Sequence, residues 1–332
     1  MTDKGLKVRS GFLEELFRNH QILYDKQYVE QTYGEGSEEI VSPLTLFKQR
    51  IRLKVKPISA IIDSCNMNLD IWVEIGQLIE KEYDNYDSFV ILHGTDTMAY
   101  TASVLSFVLE GLNKTVVVTG AMLPIVDMRS DGYSNLIGSL LVAGQYCIPE
   151  VLIYFNNKLL RGNRSVKVSS AEESAFDSPN FAYLGEFGVH IKINWGAVLK
   201  ASNQIHFSMF TSLSSNISSI KITPLIHKKV FASAFDPSFE AVVIQGYALG
   251  NFPNHRTDLL DIVLQALKRG TLVVIASQVA KGTVIDSYEV LRELTKCGAI
   301  LSFDMTFECT LTKLSYLLGK YKGENEKIKK LF

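Results

Sequence analysis

At 332 residues the chain is too long for one small core, and length alone argues for one large domain or two modest ones. Hydrophobic residues make up 47% and charged residues 21%, the balance of an ordinary soluble globular protein. A formal net charge of −1 gives no electrostatic case for nucleic acid or an anionic membrane, and no apolar stretch approaches the ~18 residues of a membrane span.

In chain order, Gly11–Tyr24 (GFLEELFRNHQILY) has helical spacing and Gly34–Glu39 (GEGSEE) reads as a loop. Nothing before Ile58 reads as a buried parallel strand, although an α/β domain usually opens on one. Short continuous apolar runs then predict buried strands at Ile58–Ile62, Phe89–Leu92, Thr115–Thr119, Val151–Phe155, Ala241–Ile244 and Leu272–Ala276. Helix-length segments lie between and after them: Leu69–Tyr83, Met98–Leu112, Ser134–Tyr146, Arg256–Lys268, Tyr288–Thr295 and Phe307–Leu318. Alternation of this kind predicts an α/β fold, with a larger N-terminal parallel-sheet domain and a smaller C-terminal α/β domain. The Ser-, Asn- and Lys-rich stretch 194–239 is expected to be a connection with some irregular β structure, between domains at 1–193 and 240–332. The lysine-rich end, KYKGENEKIKKLF, reads as a solvated helix or a frayed tail.

Cys65, Cys147, Cys297 and Cys309 lie far apart and form no CxxC pair. With no apolar leader after Met1, they are expected to be reduced thiols in a cytoplasmic protein.

Candidate chemistry gathers at strand ends. Gly94 permits a tight turn after Phe89–Leu92, which puts Thr95, Asp96 and Thr97 at the amino end of the next helix. Free N–H groups and the helix dipole favour an anionic group there. The plain alternative is that Thr95 or Asp96 caps the helix, an interaction that stabilises by ~1 kcal/mol; GTDT by itself is a weak motif. Asp63-Ser64-Cys65-Asn66-Met67 follows the predicted strand Ile58–Ile62, and Arg161–Lys167 (RGNRSVK) follows Val151–Phe155. Hydroxyl, carboxylate and amine groups from separate loops then converge on one edge of a sheet, which predicts a small-molecule site. Beside them, His93 reads as a satisfied core histidine rather than a base, and Asp131 as a tie between a loop and its helix. No GxGxxG follows a strand, and neither GxxxxGK[ST] nor a GxSxG elbow is present.

Taken together, DSCNM, HGTDTMAYTAS, VTGAMLP, RSDGYSN, RGNRSVK, FDSPN and DMTFECTLTKLSYLLG resemble the successive motifs of the type I (cytosolic) L-asparaginases. The resemblance runs in order from Gly5 to Lys320. It implies hydrolysis of L-asparagine, and in some members L-glutamine, to the acid and ammonia, with neither metal nor other cofactor. It also implies a cytoplasmic homo-oligomer, dimer or tetramer, whose sites are completed across subunits. By position, Thr95, Asp96 and Lys167 match catalytic residues, and Asp63 and Ser64 match those holding the substrate's α-amino and α-carboxylate groups. Asn251 matches a position lining the neighbouring subunit's site. A threonine hydroxyl is a weak nucleophile without an adjacent base. Lys167 must be partly desolvated to move a proton near neutrality and Asp96 opposes that, so the two are expected to act as a coupled unit around Thr95. Backbone N–H groups near Thr95 would stabilise the tetrahedral oxyanion.

The sequence also departs from the family. Its members open on a buried strand ending Thr-Gly-Gly-Thr-Ile-Gly-Met, which carries the nucleophilic threonine in a mobile loop. Here Gly5 aligns with residues after that motif, so Met1 stands as its methionine and strand and nucleophile are expected to be missing together. That predicts an amino-terminally shortened chain, poorly soluble or inactive, with two strands deprived of a ladder partner. The alternative to an active amidohydrolase is accordingly a catalytically impaired fragment or pseudoenzyme that keeps an amino-acid pocket. Val166, Gln245 and Val279 stand where an allosteric asparagine site would need Thr, Arg and Cys, so activation by asparagine is not expected. Cys65 replaces a polar side chain of many relatives and is expected to bear on substrate preference.

Overall fold

The first described helix, α1 (Phe12–Asn19), exists because its apolar stripe has something to cover: Leu16 and Phe17 are buried with Leu136 and Leu140. The computed structural model describes residues 11–59, 61–201 and 205–332, so the readings that concern Met1, Gly5 and the missing opening strand lie outside the described residues. Next come α2 (Lys26–Tyr33) and a small hairpin of β1 (Ile40–Val41) and β2 (Arg52–Leu53). After them stand α3 (Leu69–Glu82), β3 (Ser88–Leu92), α4 (Met98–Val108), β4 (Leu109–Glu110), β5 (Thr115–Thr119) and α5 (Gly132–Gln145).

The larger sheet continues with β6 (Val151–Phe155) and β7 (Lys158–Arg161). The two-residue loop between them is Asn156-Asn157, with φ of 44° and 61°. Positive φ at both central positions is the turn that matches strand twist, and asparagine tolerates it. A separate two-stranded ribbon pairs β8 (Val166–Lys167) with β9 (Phe176–Asp177). With β10 (Gly185–Phe187) and β11 (Ile191–Ile193) the main sheet has the order β11-β10-β7-β6-β5-β3. Only β3, β5 and β6 run parallel; β7, β10 and β11 extend the sheet antiparallel, so it is mixed rather than wholly parallel.

In the second half, β12 (Ser208–Met209) pairs with β4, and β13 (Ile217–Lys221) and α6 (Lys228–Ser233) lead to β14 (Ala241–Gly246). The chain ends through α7 (Thr257–Lys268), β15 (Leu272–Ser277), α8 (Glu289–Lys296), β16 (Ile300–Leu301), α9 (Phe307–Lys320) and α10 (Asn325–Leu331). The order β13-β14-β15-β16 is parallel throughout. Alternate residues face opposite layers, as the strand period requires. Val242, Ile244, Val273 and Ile275 pack with Leu259, Val263, Leu291 and Leu294, while Ala241, Val243, Leu272 and Val274 pack with Leu314, Leu317 and Ile328. The lysine-rich end is therefore a docked helix: Ile328 is fully buried.

Two further expectations change. Ile58–Ile62 forms no strand among the described residues, since the N–H and hydroxyl of Ser59 donate to the Glu74 carboxylate of α3 at 2.5 and 2.8 Å rather than to a ladder. Among the described residues β3, which reads as a buried strand, pairs on one side only, with β5, and its residues are half-buried, with Leu92 45% exposed. The stretch 194–239, expected as a connection, supplies β12, β13 and α6, and β13 lies in the second sheet, alongside β14.

Candidate active site

The turn after β3 is built before its chemistry is. Gly94 passes so close to the Asp63–Asn66 turn that a Cβ on it would lie 2.6 Å from Ser64 Oγ. That turn is a short 3₁₀ segment, Ser64–Asn66, started by Asp63, whose Oδ1 accepts from Cys65 N at 3.2 Å. Thr97 stands at the amino end of α4, and its hydroxyl donates to Ser64 O at 2.7 Å. No side chain caps α4, so neither Thr95 nor Asp96 is spent on that task and the capping alternative does not describe this turn.

His93 fixes the same turn from beneath. Trp72 Nε1 donates to Thr101 Oγ1 at 2.8 Å, Thr101 Oγ1 lies 2.8 Å from His93 Nε2, and His93 Nδ1 lies 2.6 Å from Gly94 O. A carbonyl only accepts, which assigns the proton to Nδ1; the Thr101 hydroxyl then donates to Nε2 and the imidazole is neutral. Desolvation holds the His93 pKa below its ordinary value. Both ring nitrogens are satisfied, as expected of a core histidine, yet the ring aligns the peptide that precedes Thr95. Sequence reasoning assigned no role to Thr101 or Trp72. The available signal was a fully buried threonine in a helix otherwise filled with apolar and small residues.

The amine arrives from the ribbon. Lys167, on β8, sends Nζ to Thr95 Oγ1 at 2.9 Å and to Asp96 Oδ1 at 2.7 Å. Its side chain is 19% exposed and that of Asp96 60%, so the ammonium is largely enclosed while the carboxylate opens to solvent. The thiol of Cys65 registers the neighbouring carboxylates: desolvation first, then the charges of Asp63 and Asp96, raise its pKa. Thr95, Asp96, Lys167, Asp63 and Ser64 come together in one region, with Ser64 buried and Asp63 exposed. The hydrogen bonds of Asn251 are local: its Oδ1 accepts from Phe252 N at 2.9 Å and its backbone bridges to Tyr247. Asp131 ties loop to helix by accepting from the N–H groups of Met122 and Leu123 and from Asn135 Nδ2.

The arrangement offers a hydroxyl in contact with an ammonium, a carboxylate paired to that ammonium, and, from the 3₁₀ turn that packs on Gly94, a second carboxylate beside a serine. A small zwitterion carrying a reactive carbonyl matches those groups. No cluster of three or more metal-binding side chains occurs among the described residues.

Comparison with known proteins bears on this arrangement. Residues 22–199 match the asparaginase N-terminal domain family, and residues 216–332 the glutaminase/asparaginase C-terminal domain. The L-asparaginase of Dirofilaria immitis is 39% identical over 320 residues, covering 96% of this chain and 54% of that protein. The 60 kDa lysophospholipase of Mus musculus is 37% identical over 319 residues, with 96% and 56% covered. The chain thus spans about half the length of these curated relatives. The crystal structure of L-asparaginase I from Vibrio cholerae superposes with a TM-score of 0.75 at 39% identity, over 82% of this chain and 81% of that one.

Proposed function

Because the chain belongs to the asparaginase family through both of its domains, we propose that it hydrolyses the side-chain amide of L-asparagine to L-aspartate and ammonia. The observation that carries the reading is the contact of Lys167 Nζ with both Thr95 Oγ1 and Asp96 Oδ1. In this reading Thr95, Asp96 and Lys167 are the catalytic unit. As the nucleophile's oxygen bonds to the side-chain carbonyl carbon, Lys167 in its neutral form takes that oxygen's proton through the Thr95 hydroxyl and gives it to the amide nitrogen as the C–N bond breaks and ammonia leaves. Water adds by the same route to release L-aspartate, and Asp96 holds Lys167 in place throughout. Asp63 and Ser64 receive the α-amino and α-carboxylate groups, and N–H groups of the turn after Gly94 face the oxyanion. L-Glutamine is the natural second substrate to compare.

The rest of the family reading belongs with it: a cytoplasmic homo-oligomer, dimer or tetramer, in which Asn251 lines the site of a neighbouring copy. Its place in a well-formed turn of the C-terminal domain is compatible with that assignment.

Ammonia release from L-asparagine by the purified chain is the test, with Thr95→Ala as its control. Turnover that Thr95→Ala lowers by ~10³-fold or more supports the reading. Equal ammonia release by both proteins removes Thr95 from the chemistry. No release from either, with fatty acid liberated from a lysophospholipid, transfers the activity to that of the mouse relative's name.

A further inference from the structure

Lys167 sits on a ribbon that cannot hold itself. β8 and β9 form a two-stranded sheet whose register pairs Val166 with Asp177 and Lys167 with Phe176. An isolated pair of strands is marginally stable in water, so something else must fix where the ammonium stands. At the closed end Phe176 is buried, its ring centroid 4.9 Å from that of Phe155. At the open end the ribbon leads into Arg164, three residues before Lys167, and Asn180, three residues after Asp177. Both are gripped by the C-terminal domain.

Arg164 places Nη1 3.1 Å from Asp304 Oδ1 and Nη2 against Oδ2 of the same carboxylate, a two-point fork. Nη2 also donates to Asn180 O at 3.3 Å. Asn180 in turn spends its amide across the domain boundary: Nδ2 donates to Asp304 O at 3.1 Å and Ala280 O at 3.2 Å, and Oδ1 accepts from Gly282 N at 2.8 Å. Ser178 Oγ closes the base by donating to Arg164 O at 3.0 Å. The Arg164 side chain is 16% exposed and that of Asp304 42%, so the guanidinium is enclosed while the carboxylate is partly open to solvent. The two-point geometry rather than burial sets this pair apart from a single-contact surface ion pair. These residues belong to RGNRSVK, FDSPN and DMTFEC, motifs of which the proposed chemistry uses only Lys167.

We propose that Arg164, Asn180 and Asp304 form an inter-domain clasp that positions Lys167 against Thr95 and Asp96, making the C-terminal domain part of the catalytic placement without touching substrate. They are positioning residues, and the inference rests on the proposed amidohydrolase reading for its kinetic arm alone. Cutting the fork frees the base of the ribbon, and displacement of an active group by ~1 Å costs up to ~10²-fold in rate.

The test is Asp304→Asn, nearly isosteric but unable to pair with the guanidinium as an ion. Amine acetylation read by mass spectrometry follows Lys167 directly and needs no turnover. Lys114, which donates to Tyr86 O at 2.7 Å in the N-terminal domain, serves as internal control. The expected result is Lys167 labelling raised several-fold with Lys114 unchanged, and restoration toward wild type in Asp304→Glu. Where the wild type turns over L-asparagine, kcat falls about 10- to 100-fold while KM stays within about twofold. Absence of turnover in the wild type counts against the amidohydrolase reading and leaves the labelling comparison to decide the clasp. If Asp304→Asn fails to fold, Arg164→Lys keeps the charge and removes the fork, with a smaller rise in Lys167 labelling expected. Unchanged Lys167 labelling in the folded variant, with only thermal stability reduced, overturns the proposal.

Discussion

The two sheets are made of similar apolar runs and end in different situations. In the C-terminal sheet, Val242–Ile244 and Val273–Ile275 are fully buried, each strand between parallel neighbours and beneath helices on both faces. In the N-terminal sheet, β3 has one partner among the described residues and is half-buried, and its carboxyl end carries Gly94, Thr95 and Asp96. Complete enclosure gives rigidity and leaves no room for a ligand. A strand at the sheet's margin gives up packing, and there side chains from other loops can meet.

That contrast can be broken most forcefully at the chemistry. Lys167→Met keeps the aliphatic stem and removes the amine that contacts Thr95 and Asp96. Activity is expected to fall by ~10³-fold or more with the midpoint of denaturant unfolding nearly unchanged. Next in size is the paired truncation of equivalent strand residues. Ile275→Ala in the enclosed sheet should cost about 2–5 kcal/mol of unfolding free energy, and Ile91→Ala on β3 roughly half of that. Equal costs measured by urea denaturation would erase the distinction between the sheets. Gly94→Ala presses a methyl group toward Ser64 Oγ, 2.6 Å away. It is expected to cost about 1–3 kcal/mol and to raise KM, because Ser64 must move. In the enclosed half, Thr306 caps α9 by accepting from Cys309 N at 3.1 Å, and Thr306→Ala should lose about 1 kcal/mol with kinetics unaffected.

The smallest effect concerns pH. Desolvation lowers the folded-state pKa of His93 from 6.5, so the unfolded chain takes up a proton before the folded one does. Its contribution is fully present above about pH 6.5 and is lost as acidity passes through the folded value. Wild type should therefore lose stability relative to His93→Gln between pH 7.5 and 5.5. A constant difference across that interval would show that the ring does not titrate with folding.

Much of this was legible in residue order, for reasons that also explain the gaps. Ala241–Ile244 and Leu272–Ala276 announce strands because unbroken β-branched runs suit burial on both faces. Ile58–Ile62 is rich in isoleucine but broken by Ser59-Ala60, and a strand needs a neighbour as well as propensity; Glu74 claims the Ser59 amide. β13 was hidden in NISSIK, where serines at Ser218 and Ser219 dilute the apolar signal of a partly exposed edge strand. At the site, Thr95, Asp96 and Lys167 could be named from their motifs. The link from Trp72 through Thr101 to His93 could not, since it joins α3 to the end of β3 across a distance in sequence that no periodicity spans.

That link makes the molecule report on itself. Of the two tryptophans, Trp195 is 55% exposed and open to quenching by dissolved iodide, whereas the indole N–H of Trp72 is held by Thr101 next to the imidazole. Emission that survives iodide should come from Trp72, and an added amino acid that shifts the turn at Gly94 would change its intensity. Ligand occupancy could then be followed optically, with no label attached.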